Sequence, residues 1–188
     1  YLPILKIFGK KTAVYLDGVD WERPKWGHIA KFVLKVAAKS AFAFADEIIV
    51  DNLVSKELFA NLYKKQISVI TLGAEIWDYP GNDLLSQWEL NPNEYILFIG
   101  FLKPDKGVHI LIKAYNELDT DFPLVIVGDS TDEEEYINKI KRISNKNVKF
   151  LGFVYGNAAR QLYANCLIYV QPSIMEGNSP SLMSAMAC

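Results

Sequence analysis

Two side chains in this sequence are set up for polar chemistry. Lys106 closes the run PDK in GFLKPDKG, after a turn-forming Pro104 and ahead of a helical pattern. Its ammonium can swing over the end of the preceding apolar strand as a point charge for phosphate. Glu176 stands in QPSIMEGNSPSL, ahead of Ser179, on a loop made permissive by Gly177. Ser179 is a favoured N-cap and Pro180 suits the first helical position, so a helix is predicted to begin there with unpaired N–H groups that favour an anion. A carboxylate beside such an end serves a reaction where it faces groups that want an acceptor or negative charge, such as sugar hydroxyls. The local sequence equally allows Glu176 to complement the helix dipole, a contribution of about 0.3–1 kcal/mol. It also allows Lys106 to be a solvated charge, with Lys103 nearby as a rival for the same role.

A third loop, DGVDWERPKW, gathers Asp17, Asp20, Trp21, Glu22, Arg23, Lys25 and Trp26 after an apolar run and reads as a binding loop. Lys31, Lys35 and Lys39 follow at four-residue spacing. The ordinary reading of that stripe is the wet face of an amphipathic helix; the other is a surface for anionic lipid head groups or a phosphate-bearing acceptor. Of the two histidines, His109 in GVHILIKAY is expected to be packed or on a rim. No GxGxxG, GxxxxGK[ST] or GxSxG occurs, which argues against a nicotinamide dehydrogenase, a P-loop enzyme and a serine hydrolase elbow. Cys166 and Cys188 form no metal or redox motif, so reduced thiols, a cytoplasmic setting and no bound metal are expected.

The elements that must carry these loops alternate along the chain. Strands are predicted at Thr12–Asp17, Glu47–Asp51 and Ile67–Thr71, with helices at His28–Phe44 and Ser55–Tyr63. Periodicity then fails, and Pro80, Gly81, Asn82, Asn91, Pro92 and Asn93 cluster. Strands follow at Tyr95–Ile99, Leu124–Val127, Val148–Leu151 and Leu167–Val170, and helices near Gly107–Leu118, Asp132–Ile143, Asn157–Tyr163 and from Ser179 onward. Short apolar strands separated by helices predict an α/β fold of two doubly wound parallel sheets, with a cleft between the two domains. The domains are read as 1–76 and 94–188 with a linker over 77–93. Such sheets bind ligands beyond the carboxyl ends of their strands, and every loop singled out above lies there. The chain has 188 residues, 20 basic and 22 acidic, so it offers no general basic field for nucleic acid. The apolar opening is too short to span a bilayer. The absence of an initiating Met and a last helix that stops at Cys188 suggest an internal piece of a longer protein.

Taken in order, ILFIGFLKPDKGVHILIKAY, LVIVGDS, VKFLGFV and LIYVQPSIMEGNSPSLMSAMAC resemble the donor-binding domain of retaining glycosyltransferases of family four, which have the GT-B fold with two Rossmann-like domains. DGVDWERPKW and ADEIIVDN resemble the acceptor-side domain of members that build surface polysaccharides. The resemblance implies both domains are incomplete in this chain. It implies that Lys106 binds the diphosphate of a nucleotide sugar, that Glu176 meets the transferred sugar, and that Gly177, Asn178, Ser179, Pro180, Ser181 and Leu182 hold phosphate and sugar. Gly128, Phe153 and Val154 would lie near the nucleoside, Ser184 at a ribose hydroxyl, and Asp17, Gly18, Trp21, Arg23 and Lys25 on the acceptor side. It further implies no cofactor or metal, and a glycan or lipid-linked acceptor; peripheral contact with the inner face of the membrane is a separate expectation, from the lysine stripe. The chain departs from the family pattern at Phe101 (usually Arg), Ser184 (usually Glu) and Asp17 (usually His). Those departures keep open a transferase-like protein that binds nucleotide sugar without turnover, and a nucleotide-sugar epimerase is a further alternative.

Overall fold

The computed structural model describes residues 1–22, 26–174 and 176–188, which group into two compact units, Tyr1–Leu72 and Gly73–Cys188. The elements in order are α1 (Leu2–Ile7), β1 (Ala13–Tyr15), α2 (His28–Phe44), β2 (Glu47–Val50), α3 (Leu53–Tyr63) and β3 (Ser68–Val69) in the first unit. The second holds β4 (Ile96–Ile99), α4 (Val108–Asn116), β5 (Leu124–Val127), α5 (Glu134–Ile143), β6 (Val148–Gly152), α6 (Gly156–Ala164), β7 (Ile168–Tyr169) and α7 (Pro180–Met186). Both sheets are parallel, with strand orders β1-β2-β3 and β6-β5-β4-β7. The α/β character with parallel sheets expected from the sequence is what each unit adopts.

Strand alternation explains the layering of the second unit. Phe98, Leu124 and Ile126 face one way and pack with Val108 and Ile112 of α4 and Ile137 and Ile140 of α5. Tyr95, Leu97, Val125 and Val127 face the other way and pack with Leu162 and Tyr163 of α6 and with Leu85 and Leu90. All four residues of β5 are buried, as a central parallel strand requires. The first unit has one core cluster, in which Phe42 of α2 stacks on Tyr63 at 3.8 Å and meets Phe59 of α3 at 5.6 Å.

The stretch read from sequence as a linker carries a 3-10 helix, Asp83–Trp88, and is strapped to α6. Gln161, buried, donates to Pro80 O at 2.9 Å and Asp83 Oδ1 at 2.7 Å and accepts from Leu84 N at 2.8 Å. Asn165 donates to Gly81 O at 2.9 Å and accepts from Tyr79 Oη at 3.0 Å. The turn-rich composition of 73–93 hides this, because the partners lie nearly half the chain away.

Candidate functional site

The order β6-β5-β4-β7 means that the chain proceeds outward from β4 and then returns to its other side. The strand order therefore reverses between β4 and β7, and loops leaving that pair diverge to leave room for a ligand. The loop after β4 is the one that holds Lys106, and the loop after β7 holds Glu176. The two are drawn together by backbone. Ile174 N donates to Asp105 O at 2.9 Å, and Gly107 adopts φ +69 with its missing side chain facing Pro172. A Cβ there would sit 2.1 Å from Pro172 O, so only glycine lets the loops meet.

At this junction Lys106 Nζ donates to both oxygens of Glu176, at 2.9 and 2.7 Å. The side chains are 22% and 23% exposed, so the pair is a rim feature within reach of a ligand. Gln171, which the sequence reading missed, supports it: its Nε2 donates to Glu176 Oε2 at 3.2 Å and to Ser173 Oγ at 2.7 Å, while its Oε1 accepts from Tyr169 Oη at 2.6 Å. Burial pushes the Tyr169 hydroxyl upward, so it remains a proton donor to Gln171. The signal available in sequence was position: Gln171 and Tyr169 sit at the end of the strand that leads into the Glu176 loop.

Beyond Glu176, Ser179 is the N-cap of α7 and accepts from Leu182 N at 3.4 Å, with Pro180 in the first turn. Gly177, Pro180 and Leu182 are exposed and Asn178 is half-buried. Ser181 is half-buried. Ser184 is half-buried one turn further on, and its carbonyl accepts from Cys188 Sγ at 3.1 Å. Gly128 follows β5, where a Cβ would stand 1.9 Å from Gly100 O, so the loops after β4 and β5 also close on glycine. Val154 packs into the core, whereas Phe153 is exposed, edge-on to Phe101 at 6.4 Å and stacked on Tyr155 at 5.9 Å. Lys103 Nζ lies 5.9 Å from the Phe101 ring, so the rival of Lys106 rests against the phenylalanine that stands where the family usually has arginine.

The other sequence candidates are placed differently. Trp21 packs against Phe59 at 6.3 Å at the margin of the first core, while Asp17 is exposed and Gly18 has φ +80. Arg23 and Lys25 lie outside the described residues. At the end of β2, within ADEIIVDN, Asp51 is buried and accepts from Asn52 Nδ2 at 2.7 Å. The nearby Tyr15 hydroxyl is shifted upward by burial and by the charges of Asp51 and Asp17. His109 pairs its Nδ1 with Tyr136 Oη at 3.0 Å, and burial and then Lys139 and Lys113 hold its pKa below the ordinary value. It is the packed histidine expected. Cys166 is free, and burial pushes its thiol up to about 11, which removes it as a nucleophile near neutrality. Among the described residues no three His, Cys, Asp or Glu side chains gather as a metal site, and no helix is long and apolar enough to cross a membrane.

Known structures share this architecture. HepE of Anabaena, in complex with UDP-glucose, matches the whole chain with a TM-score of 0.83 and 23% identity over 54% of its own length. Sucrose-phosphate synthase from Thermosynechococcus elongatus matches 99% of the chain with a TM-score of 0.81 and 19% identity over 50% of its length. The fold is thus that of the GT-B class. Residues 85–188, more than half of the chain, match the family described as Glycosyl transferases group 1, and the chain belongs to that family. Among curated relatives, the "N-acetylgalactosamine-N,N'-diacetylbacillosaminyl-diphospho-undecaprenol 4-alpha-N-acetylgalactosaminyltransferase" of Campylobacter jejuni is 34% identical over 97 residues, 51% of this chain and 26% of that protein. The "Uncharacterized glycosyltransferase MJ1069" of Methanocaldococcus jannaschii is 28% identical over 194 aligned residues, 96% of this chain and 50% of that protein. The chain spans half or less of the length of these two relatives.

Proposed function

We propose that the chain forms the donor-binding side and part of the acceptor side of an enzyme that moves a hexose-type sugar from a nucleotide diphosphate to a glycan or lipid-linked acceptor. The transfer proceeds with retention of anomeric configuration, in surface polysaccharide synthesis, in the cytoplasm at the inner face of the membrane. The observation that carries this is the Lys106–Glu176 pair at the reversal of strand order. The names of relatives agree with it: the Campylobacter jejuni protein is named for a diphospho-undecaprenol substrate, and an Escherichia coli relative, 27% identical over 111 residues, is the "O-antigen chain mannosyltransferase B".

In this reading the pair is the resting form of the site. An ion pair at a rim contributes only about 0–1 kcal/mol, so an incoming diphosphate displaces Glu176 from Lys106 at little cost. Lys106 then stabilises the charge that grows on the leaving phosphate. Glu176, released but still held by Gln171, turns to the sugar. The acceptor oxygen bonds to the anomeric carbon as the bond to the phosphate oxygen breaks, and that phosphate oxygen takes the acceptor proton. Positive charge develops at the anomeric carbon meanwhile, and the carboxylate stabilises it more than an amide does.

The test is Glu176→Gln in the full-length protein. Nucleotide release should slow about ten- to a hundredfold, the equivalent of 1.5–3 kcal/mol of charge-assisted bonding, while nucleotide-sugar affinity by calorimetry stays level or rises because Lys106 is freed. A rate indifferent to this change removes Glu176 from the chemistry. Phe101 favours a second reading, a binder without turnover, because no guanidinium stands at that position. Nucleotide sugar that binds without any release of nucleotide establishes that reading instead.

A further inference from the structure

Glu176 is tied to the core of the second unit by a relay of side chains. Tyr169 closes β7, where it pairs with Leu97 of β4. Its ring packs on the cluster that contains Leu97, Val127 and Leu162, and it lies tilted on Tyr163 at 5.7 Å. Its hydroxyl stands 3.3 Å from Ile99 O and donates to Gln171 Oε1 at 2.6 Å. A primary amide has one accepting end and one donating end. Because the phenol occupies Oε1, Nε2 faces the other way, and its two hydrogens go to Ser173 Oγ at 2.7 Å and Glu176 Oε2 at 3.2 Å. An amide turned over would set its oxygen against the carboxylate, acceptor against acceptor.

The loop alone does not fix Glu176, which is a long flexible side chain with Gly177 beside it. Lys106 holds both its oxygens at rest, but in the proposed reaction that lysine turns to the diphosphate. The bond from Gln171 then becomes the anchor of the carboxylate. We propose that Tyr169 is a positioning residue for sugar transfer: its hydroxyl sets the polarity of the Gln171 amide, and the amide aims Glu176 at the sugar once Lys106 has left it. The inference rests on the reading of Glu176 given above. A hydroxyl that needed only to be satisfied within the fold would find the Ile99 carbonyl enough. Its shorter bond goes instead to the side chain that touches Glu176. A ring set in the core is a rigid base, so the relay carries the order of the core out to the rim.

The experiment is a cycle of variants in the full-length protein: Tyr169→Phe, which keeps the ring, Gln171→Leu, and the two together. UDP-glucose, the nucleotide sugar held by HepE, is the donor, and UDP release is followed. Tyr169→Phe should lower kcat about three- to tenfold, the size of one neutral hydrogen bond, with KM for the donor within about twofold and melting within about 3 °C. The double variant should be no slower than Gln171→Leu alone, because the hydroxyl acts through the amide. Losses that multiply in the double variant, a KM that rises as kcat falls, or an unchanged kcat overturns the inference. Crystal structures with inorganic pyrophosphate read the same point without turnover. Glu176 Oε2 should stay within hydrogen-bond distance of Gln171 Nε2 in the wild type and leave it in Tyr169→Phe, and a carboxylate that keeps its place in the variant also overturns the inference. If Glu176→Gln itself leaves the rate unchanged, the reading of the site has failed. If Glu176→Gln slows release and Tyr169→Phe does not, that reading stands and the relay alone falls.

Discussion

The two units carry equally conspicuous loops, yet among the described residues only the second gathers charged partners into a shared rim. In the second unit the strand order reverses between β4 and β7, and the loops that leave this pair are closed on each other through Gly107 and the Ile174–Asp105 bond. In the first, β1, β2 and β3 follow in sequence across the sheet, and the loop after β1 leaves from an edge strand. Its Trp21 goes into packing on Phe59. A dense cluster of charge and aromatic residues is therefore weaker evidence of a site than two sparse loops that topology forces together.

The sharpest way to break this comparison is Gly107→Ala. A side chain at φ +69 costs about 1–2 kcal/mol in its own right, and the Cβ also meets Pro172 O at 2.1 Å. The loops should part, melting should fall by several degrees, and nucleotide-sugar binding by calorimetry should weaken about a hundredfold, the scale of a small misplacement in a binding site. Retained affinity would show that the loop junction is not the site. Next in size is Lys106→Ala, expected to weaken nucleotide-sugar binding about ten- to a hundredfold with unchanged melting, since a charge-assisted contact is worth roughly 1.5–3 kcal/mol. Unchanged affinity would return Lys106 to the class of solvated charges.

Trp21→Ala probes the other side of the comparison. Loss of the Phe59 contact should destabilise the first unit by about 1–3 kcal/mol in urea titration while leaving donor affinity within about twofold. A large effect on transfer with little on stability would restore the DGVDWERPKW loop as a site. The smallest expected effect is at His109. Its pKa is depressed by burial and by Lys139 and Lys113, so the folded state binds protons less readily than the unfolded chain. Stability therefore declines as pH falls from the ordinary histidine value toward the depressed one, and His109→Asn should remove that part of the acid slope in melting curves. An identical slope in the variant would mean that His109 titrates normally.

Much of the scaffold was legible in the sequence because its signals are local. The helix expected at His28–Phe44 and the strand at Leu124–Val127 are observed with those limits, and Ser179 and Pro180 open α7 as their types require. Period alone sets these, since apolar spacing and caps act within a turn or two. The strand after Leu167 shortens to Ile168–Tyr169, because its pairing with β4 extends over only two residues.

By itself, the sequence determined the alternation of strands and helices, the parallel sheets that alternation demands, the two residues with suitable chemistry, and the family motif order. Only the tertiary structure decided that Lys106 and Glu176 meet at 2.7 Å, that Gln171 holds the acid, that Phe101 stands between Lys103 and Phe153, and that 73–93 is strapped to α6 by Gln161 and Asn165. The physical reason is one of range. Helix caps and hydrophobic period depend on neighbours a few positions away, whereas hydrogen bonds between residues 70 or 80 positions apart exist only after strand order has brought their loops together.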